Sequence, residues 1–290
     1  MLATPTHESA LRESDYRRLR DLLHERFGLH LPPTKKVLLQ ARIQKRLRRL
    51  KMGSFAEYCE HLFSPEGLEE ELPRLVDVVT THKTEFFRES GHFEWMVETL
   101  LPELSQSVGR IGPLKIWSAG CSTGEEVYSL AMLLSEWRRK VPDFDFEIIG
   151  SDVAADTLEK ARQGIYRQDR IVGLSDALRR RYFMRSKDRR QPLVRVVPEL
   201  RSKCRFELHN LIEEREAPLA EADLIFCRNV MIYFDRPTRQ RVVEGLVSHL
   251  APWGTLFVGH AETLGGIDVP LLPVAAATYR HRAHLQAPGR

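Results

Sequence analysis

Lys115-Ile-Trp-Ser-Ala-Gly-Cys-Ser-Thr-Gly-Glu-Glu-Val-Tyr128 is a short apolar run that breaks into a glycine loop and restarts as a helix. Ile116 and Trp117 suit a buried strand, Gly120 and Gly124 permit close backbone approach, and Glu125 to Trp137 carries apolar residues at helical spacing. Strand, loop and helix start together predict the first βα unit of a nucleotide-binding α/β fold. The loop lacks the G-x-G-x-x-G of a dinucleotide site, and Glu125 and Glu126 in the first helical turn would repel a pyrophosphate. A cationic or zwitterionic ligand fits better. S-adenosylmethionine, with an ammonium, a sulfonium and no phosphate, is such a ligand, and a carboxylate here could meet its positive end. In the competing reading the two glutamates are a solvated helix start.

Working outward, Phe146 to Asp152 is the next apolar strand, and it ends in an acid where an adenosine ribose can be held by its hydroxyls. Asp152 is therefore a ribose ligand or, in the competing reading, the cap of a helix starting near Ala154. Further on, Ala222–Asn229 and Gly254–His260 read as strands flanking a helix from Pro237 to Leu250. Cys204–Leu208 leads back into the same, mostly parallel sheet. Tyr182–Met184 and Leu193–Val197, separated by turn residues, predict a small antiparallel insertion at about 181–203.

Before the glycine loop the chain reads as helical: Glu13 to Phe27, a basic helix, Ser54 to Leu62 and Gly67 to Val79, with Pro32-Pro33 and Ser64-Pro65 between them. The predicted division is a helical domain over 1–80 and an α/β domain over 81–290. In KKVLLQARIQKRLRRLK (Lys35–Lys51), Leu39, Ile43, Leu47 and Leu50 share one face and no acid occurs. Lys35, Arg42, Arg46 and Arg49 flank that face. Such a helix can lie on a membrane, grip nucleic acid, dock an acidic helix, or be only a solvated basic face. The segment Thr80–Arg88 is no flexible linker, because Phe86-Phe87 need burial and Arg88 needs an anionic or dipolar partner.

The 290 residues are 42% hydrophobic and 29% charged with net charge +4, a globular composition that excludes the disordered classes and points only mildly toward acidic partners. No N-terminal apolar stretch and no membrane-length segment is present, so a soluble, cytoplasmic protein without membrane insertion is expected. Cys59, Cys121, Cys204 and Cys227 show no paired spacing, which indicates neither a disulfide framework nor a zinc site, and no metal is expected.

Several stretches, in order and nearly end to end, resemble the CheR-type chemoreceptor glutamate methyltransferases. They are TTHKTEFFRE (Thr80–Glu89), IWSAGCSTGEEVYSLAM (Ile116–Met132), SDVAADTLEKARQGIY (Ser151–Tyr166), YFMR (Tyr182–Arg185), HNL (His209–Leu211), CRNVMIYFD (Cys227–Asp235) and GHAE (Gly259–Glu262). The resemblance implies a Rossmann-like class I methyltransferase domain, a small all-helical N-terminal domain, and a small antiparallel β insertion that in part of the family binds the receptor's C-terminal tail. It implies methyl transfer from S-adenosylmethionine to receptor glutamates, leaving S-adenosylhomocysteine, with the cytoplasmic helical region of the receptor as partner. Carried over by motif, the cofactor residues are His82, Thr84, Arg88, Glu126 with Glu125 as neighbour, Asp152, Asn210, Leu211, Arg228 and Asn229. Arg88 and Tyr233 are expected to orient the substrate carboxylate, although Tyr233 alone reads as easily as a core aromatic. Lys35, Arg42, Arg46 and Arg49 are expected to dock the receptor helices, so that reversing Arg42 and Arg46 should hardly change thermal stability. The chain departs from the family at His82, usually asparagine, and Val127, usually proline. His260 and Cys121 are read as structural. A nucleic-acid methyltransferase and a non-catalytic S-adenosylmethionine-binding adapter are the alternatives. The first would need an acidic or amide motif with adjacent prolines after the fourth strand, where Cys-Arg-Asn-Val-Met-Ile-Tyr-Phe stands.

Overall fold

The computed structural model describes residues 10–106, 112–188, 190–213 and 217–282; the ends of the two expected domains, 1–9 and 283–290, lie outside the described residues. Four helices come first: α1 (Glu13–Phe27), α2 (Lys36–Leu50), α3 (Phe55–Leu62) and α4 (Pro65–Val79). Their boundaries follow local chemistry. Ser54 and Ser64 accept from Glu57 N and Gly67 N to start α3 and α4, and Gly28, left-handed at φ 68°, closes α1 by donating to its last carbonyls. Leu19, Leu23, Ile43, Tyr58, Leu62 and Leu75 meet in a core of their own.

The basic face of α2 is not uniformly solvated. Lys35 and Arg49 are exposed as expected, but Arg46 is 6% exposed. Its Nε donates to Glu71 Oε1 at 2.8 Å and its second nitrogen to Oε2 at 2.5 Å, while Tyr58 donates to the same carboxylate at 2.8 Å. Arg42 turns to the end of α4, which has no basic residue in its last turn, and donates to the carbonyls of Val78, Val79 and Thr80. Both residues are therefore internal fasteners rather than docking residues. The charges that α2 presents outward are Lys45, Arg48 and Arg49, beside exposed Val37 and Leu38.

The rest of the chain runs α5 (Gly91–Trp95), continued through a π turn at Met96–Leu100 into α6 (Leu101–Gln106), then β1 (Leu114–Ala119), α7 (Glu125–Arg138), β2 (Phe146–Asp152), α8 (Ala155–Gln163) and β3 (Ile165–Arg167). After it come α9 (Asp176–Tyr182), β4 (Phe183–Arg185), β5 (Leu193–Val196), α10 (Pro198–Arg201), β6 (Cys204–Leu208), β7 (Ala222–Cys227), α11 (Arg236–Ser248), β8 (Leu250–Val258), β9 (Leu271–Ala275) and β10 (Thr278–His281). Seven strands form one sheet in the order β6-β2-β1-β7-β8-β10-β9, parallel except for β10, which runs against both neighbours. Alternate residues feed two cores, Ile116 and Phe226 on one face, Trp117 and Ile225 on the other, so the central strands read as unbroken apolar runs. Strand order reverses between β1 and β7, and a crevice opens there at the carboxyl ends of the strands.

The small sheet has order β3-β5-β4 and is antiparallel, as the sequence suggests, but it starts at Ile165 rather than near 181. A three-residue strand directly after the left-handed Gly164 that ends α8 is too short to show alternation. All four cysteines are buried free thiols. Among the described residues no helix is long and apolar enough to cross a membrane.

Candidate active site at the sheet crossover

A cleft of about 980 Å³, counting its solvent-open mouth, lies over the carboxyl ends of β1, β2, β6 and β7. The loop after β1 makes its floor. Gly120, at φ 85°, donates with Cys121 to the Ser151 carbonyl, and a Cβ at Gly120 would stand 2.4 Å from a methyl of Val230. Only glycine lets the loops after β1 and β7 approach so closely.

The two glutamates that begin α7 diverge, as successive helical residues must. Glu126 lines the cleft, accepting from Ser118 Oγ at 2.7 Å and from Arg228 at 3.2 Å; burial raises its carboxyl above the ordinary range despite that cation. Glu125 does not reach the cleft. Its side chain is buried against Arg170, at 2.6 Å, and the Thr123 hydroxyl, so its assignment as a cofactor neighbour is not supported by its position. Asp152 lines the cleft and accepts from Ser122 N at 2.8 Å and Ala154 N at 3.0 Å. It is not the cap of α8: Ala154 holds that position without a side-chain cap. Burial raises the Asp152 carboxyl, and the two amides oppose the rise.

The connecting segment folds over the cleft. Phe86 packs edge-on against Tyr166 and Phe183 of the small sheet, at 5.1 and 5.5 Å, while His82, Thr84 and Arg88 line the cleft. The His82 ring bonds to the Asp77 carbonyl and the Thr80 hydroxyl, and Arg88 donates to the Lys83 carbonyl at 2.9 Å, the dipolar partner its sequence context required. Phe87 and Glu89 on either side of Arg88 are left-handed, at φ 54° and 56°. Such strain in non-glycine residues persists only where surrounding contacts impose it.

Those contacts centre on Arg228, whose side chain is 2% exposed. It donates to Glu89 Oε2 at 3.0 Å, to Glu126 Oε2 at 3.2 Å and to the Arg88 carbonyl. Desolvation alone would raise Glu89, but Arg228 and the Asn229 amide more than offset it and hold this carboxyl below its usual value. Asn229, left-handed at φ 59°, donates its own N–H to Glu262, which also accepts from Gly259 N and Ile232 N and so fixes the loop after β7. The sequence reading assigned no role to Glu89 or Glu262, although both stand in quoted motifs, Glu89 beside Arg88 and Glu262 at the end of GHAE.

Asn210 and Leu211, after β6, line the cleft, and Asn210 reaches back to the Arg26 carbonyl at 2.7 Å. Tyr233 lines it too, its carbonyl accepting from His30 N at 2.7 Å, and Phe27 and Leu29 from the end of α1 complete that wall. The structure thus gathers His82, Thr84, Arg88, Glu126, Asp152, Asn210, Leu211, Arg228, Asn229 and Tyr233 around one cavity; Glu125, Lys35, Arg42, Arg46 and Arg49 stand outside it.

Residues 82–278 match the family model described as CheR methyltransferase, SAM binding domain, and residues 14–80 match CheR methyltransferase, all-alpha domain. The chain belongs to the CheR methyltransferase family. It is 41% identical over 250 residues to chemotaxis protein methyltransferase 2 of Pseudomonas aeruginosa, covering 86% of each chain. It is 35% identical over 268 residues to the chemotaxis protein methyltransferase of Escherichia coli, covering 92% of this chain and 91% of that one. As a member of the CheR family it is an S-adenosylmethionine-dependent methyltransferase, and the cleft fits that cofactor. Two carboxylates of the cleft wall, Glu126 and Asp152, suit an ammonium and a ribose, and the buried cation beside them, Arg228, is already matched by Glu89 and Glu126. A pyrophosphate would meet Glu126 instead of open helix N–H groups.

Proposed function

We propose that this CheR-family methyltransferase esterifies glutamate side chains of chemoreceptors in the cytoplasm. The observation that carries this reading is the pairing of a saturated arginine with an unsaturated one. Arg228 is spent on two carboxylates, whereas Arg88 gives one guanidinium nitrogen to a carbonyl and has donors to spare for a substrate carboxylate. The cofactor supplies an electrophilic methyl group. A glutamate with an ordinary pKa of about 4.3 is already ionised at neutral pH, so the protein need not supply a strong base. Its residues instead hold the two partners in line: Asp152 on the ribose hydroxyls, Glu126 on the ammonium, Asn210 and Leu211 at the adenine, His82, Thr84 and Asn229 around the remainder, with Arg88 and Tyr233 turning the substrate carboxylate. Alignment of this kind supplies several kcal/mol of rate acceleration. The helical N-terminal domain, ending near Thr80, brings the receptor.

The direct test is transfer of a tritiated methyl group to receptor, tRNA and DNA. Base-labile label on receptor supports the ester; stable label on nucleic acid would replace this reading with the nucleic-acid one. Arg88→Ala is expected to depress methyl transfer at least about tenfold more than it depresses S-adenosylmethionine affinity by calorimetry, and equal losses would make Arg88 a cofactor ligand only.

Receptor helices bearing acidic side chains would dock on the outward face of α2, where Lys45, Arg48 and Arg49, with Lys35 just before the helix, are exposed together with Val37 and Leu38. Lys45→Glu with Arg49→Glu should raise KM for receptor several-fold at low salt and lose its effect toward about 1 M salt, where the screening length is about 3 Å. Unfolding free energy should move by less than about 0.5 kcal/mol, because neither residue is buried. An unchanged KM would return this face to a merely solvated one. A receptor's C-terminal tail would add as a strand to β3 or β4, the edges of the small sheet.

A further inference from the structure

Beside the Arg228–Glu89 pair, His92 of α5 and His260 of the loop after β8 converge on the Glu89 carboxylate. One ligand-capable atom from each of the three lies within 4.8 Å of the other two. The His92 ring is 2% exposed, and among the described residues neither of its nitrogens has a hydrogen-bond partner of normal geometry. Its Nδ1 faces Glu89 Oε2 at 3.8 Å, too far for a hydrogen bond, and the Ala276 backbone approaches the ring without normal hydrogen-bond geometry. Buried imidazoles are rarely left in this state. His260 is exposed, with its ring centre 4.8 Å from that of His92, and opens the cluster to solvent.

We propose that Glu89, His92 and His260 form an inhibitory site for a divalent transition-metal ion of the Zn²⁺ type, a site distinct from the methyl-transfer chemistry. Two imidazole nitrogens and a carboxylate oxygen are the donor set such ions take at about 2.0–2.2 Å, and oxygen-seeking Mg²⁺ and Ca²⁺ disfavour it. The donors must close by about 1–1.5 Å to share one ion. His260 can supply much of that movement because its side chain is not packed in. Water completes the coordination. The ion draws on the carboxylate that also holds Arg228 and Asn229, so metal and guanidinium compete for Glu89, and occupancy slackens the wall of the cleft. The ligands are 168 residues apart between His92 and His260, which is why no metal-binding spacing shows in the sequence.

The test uses the full chain, stripped with a chelator and titrated with Zn²⁺ against a chromophoric competitor, then with Co²⁺ to read its visible d–d absorption. The proposal expects one ion per chain, with affinity at least about tenfold weaker in His260→Ala and in His92→Gln. Because His260 is exposed, His260→Ala carries the decision if His92→Gln folds poorly. Zn²⁺ should also inhibit methyl transfer by the wild type, reversibly on chelation, at concentrations at least about tenfold below those needed for His260→Ala, each protein referred to its own metal-free rate. No stoichiometric binding, or binding unchanged by His260→Ala, overturns the site. Binding at the site without inhibition overturns the competition for Glu89. The binding arms do not depend on which substrate is methylated.

Discussion

Arg228→Met is expected to abolish methyl transfer and to lower unfolding free energy by about 3–5 kcal/mol, the cost of leaving two largely covered carboxylates without their cation. Methionine keeps the length and much of the volume of the arginine stem, so the loss reads the charge and not a cavity. Two acids are stranded at once, Glu89 and Glu126, both within about one hydrogen bond of the guanidinium. The deficit should depend on pH with a definite sign. In the wild type Glu89 is held below the ordinary carboxylate value, which adds stability above that value and loses it as pH falls through the folded pKa. Without Arg228 burial acts on Glu89 against only the weaker help of the Asn229 amide and the His260 backbone, its folded pKa rises, and protonation relieves the variant as pH drops. Denaturant unfolding should therefore show the gap to wild type shrinking from about pH 7 toward about pH 5. A gap that is constant or grows on acidification would show that Arg228 is not what keeps Glu89 ionised.

Arg46→Met should cost a similar ~3–5 kcal/mol without touching the cleft, because Glu71, at 4% side-chain exposure, would keep only the Tyr58 hydroxyl. Arg46→Met combined with Glu71→Leu should regain most of the loss, since replacing both members of a buried pair by apolar groups is often close to neutral. Cofactor affinity, measured by calorimetry on the folded protein, should stay within about twofold of wild type in both variants. Wild-type stability in Arg46→Met would mean that the ion pair opens to solvent. An Arg42→Glu/Arg46→Glu reversal is consequently a folding variant: it places anions against Glu71 and against the carbonyls that end α4, and it cannot isolate receptor docking.

The inward turn of Arg46 was partly legible. Leu39, Ile43, Arg46 and Leu50 follow the 4-3-4 spacing of a buried seam, so period alone puts Arg46 with the apolar residues. Its acidic partner was not legible, because Glu71 lies on another helix and nothing local marks it as buried. The central strands could be read directly, since a parallel strand covered on both faces must be apolar throughout, as Leu224-Ile225-Phe226 is. Ile165–Arg167 could not, for its strand character comes from pairing with β5. In the cleft, motif residues near the ends of β1, β2 and β7 came together as the fold class requires. Glu125 did not, because the decision between it and Glu126 is made by helix rotation and by Arg170, 45 residues on. Glu89 and Glu262 act on other protein groups, and a sequence shows charge more readily than it shows which charge is consumed internally.

Phe27, Leu29 and the His30–Tyr233 hydrogen bond make the end of α1 a part of the cleft wall, opposite strand ends more than 80 residues away. Occupancy of the cleft and attachment of the helical layer are therefore thermodynamically linked. Any ligand that touches both raises the free energy of pulling them apart by RT ln(1 + [L]/Kd), about 2.7 kcal/mol at a hundred times Kd. The same term runs backwards: a load on α2 that pries the layer loose must loosen the ligand by an equal amount. Whatever grips the helical layer and whatever sits in the cleft would thus each report the other's presence, with no moving part beyond the seam itself.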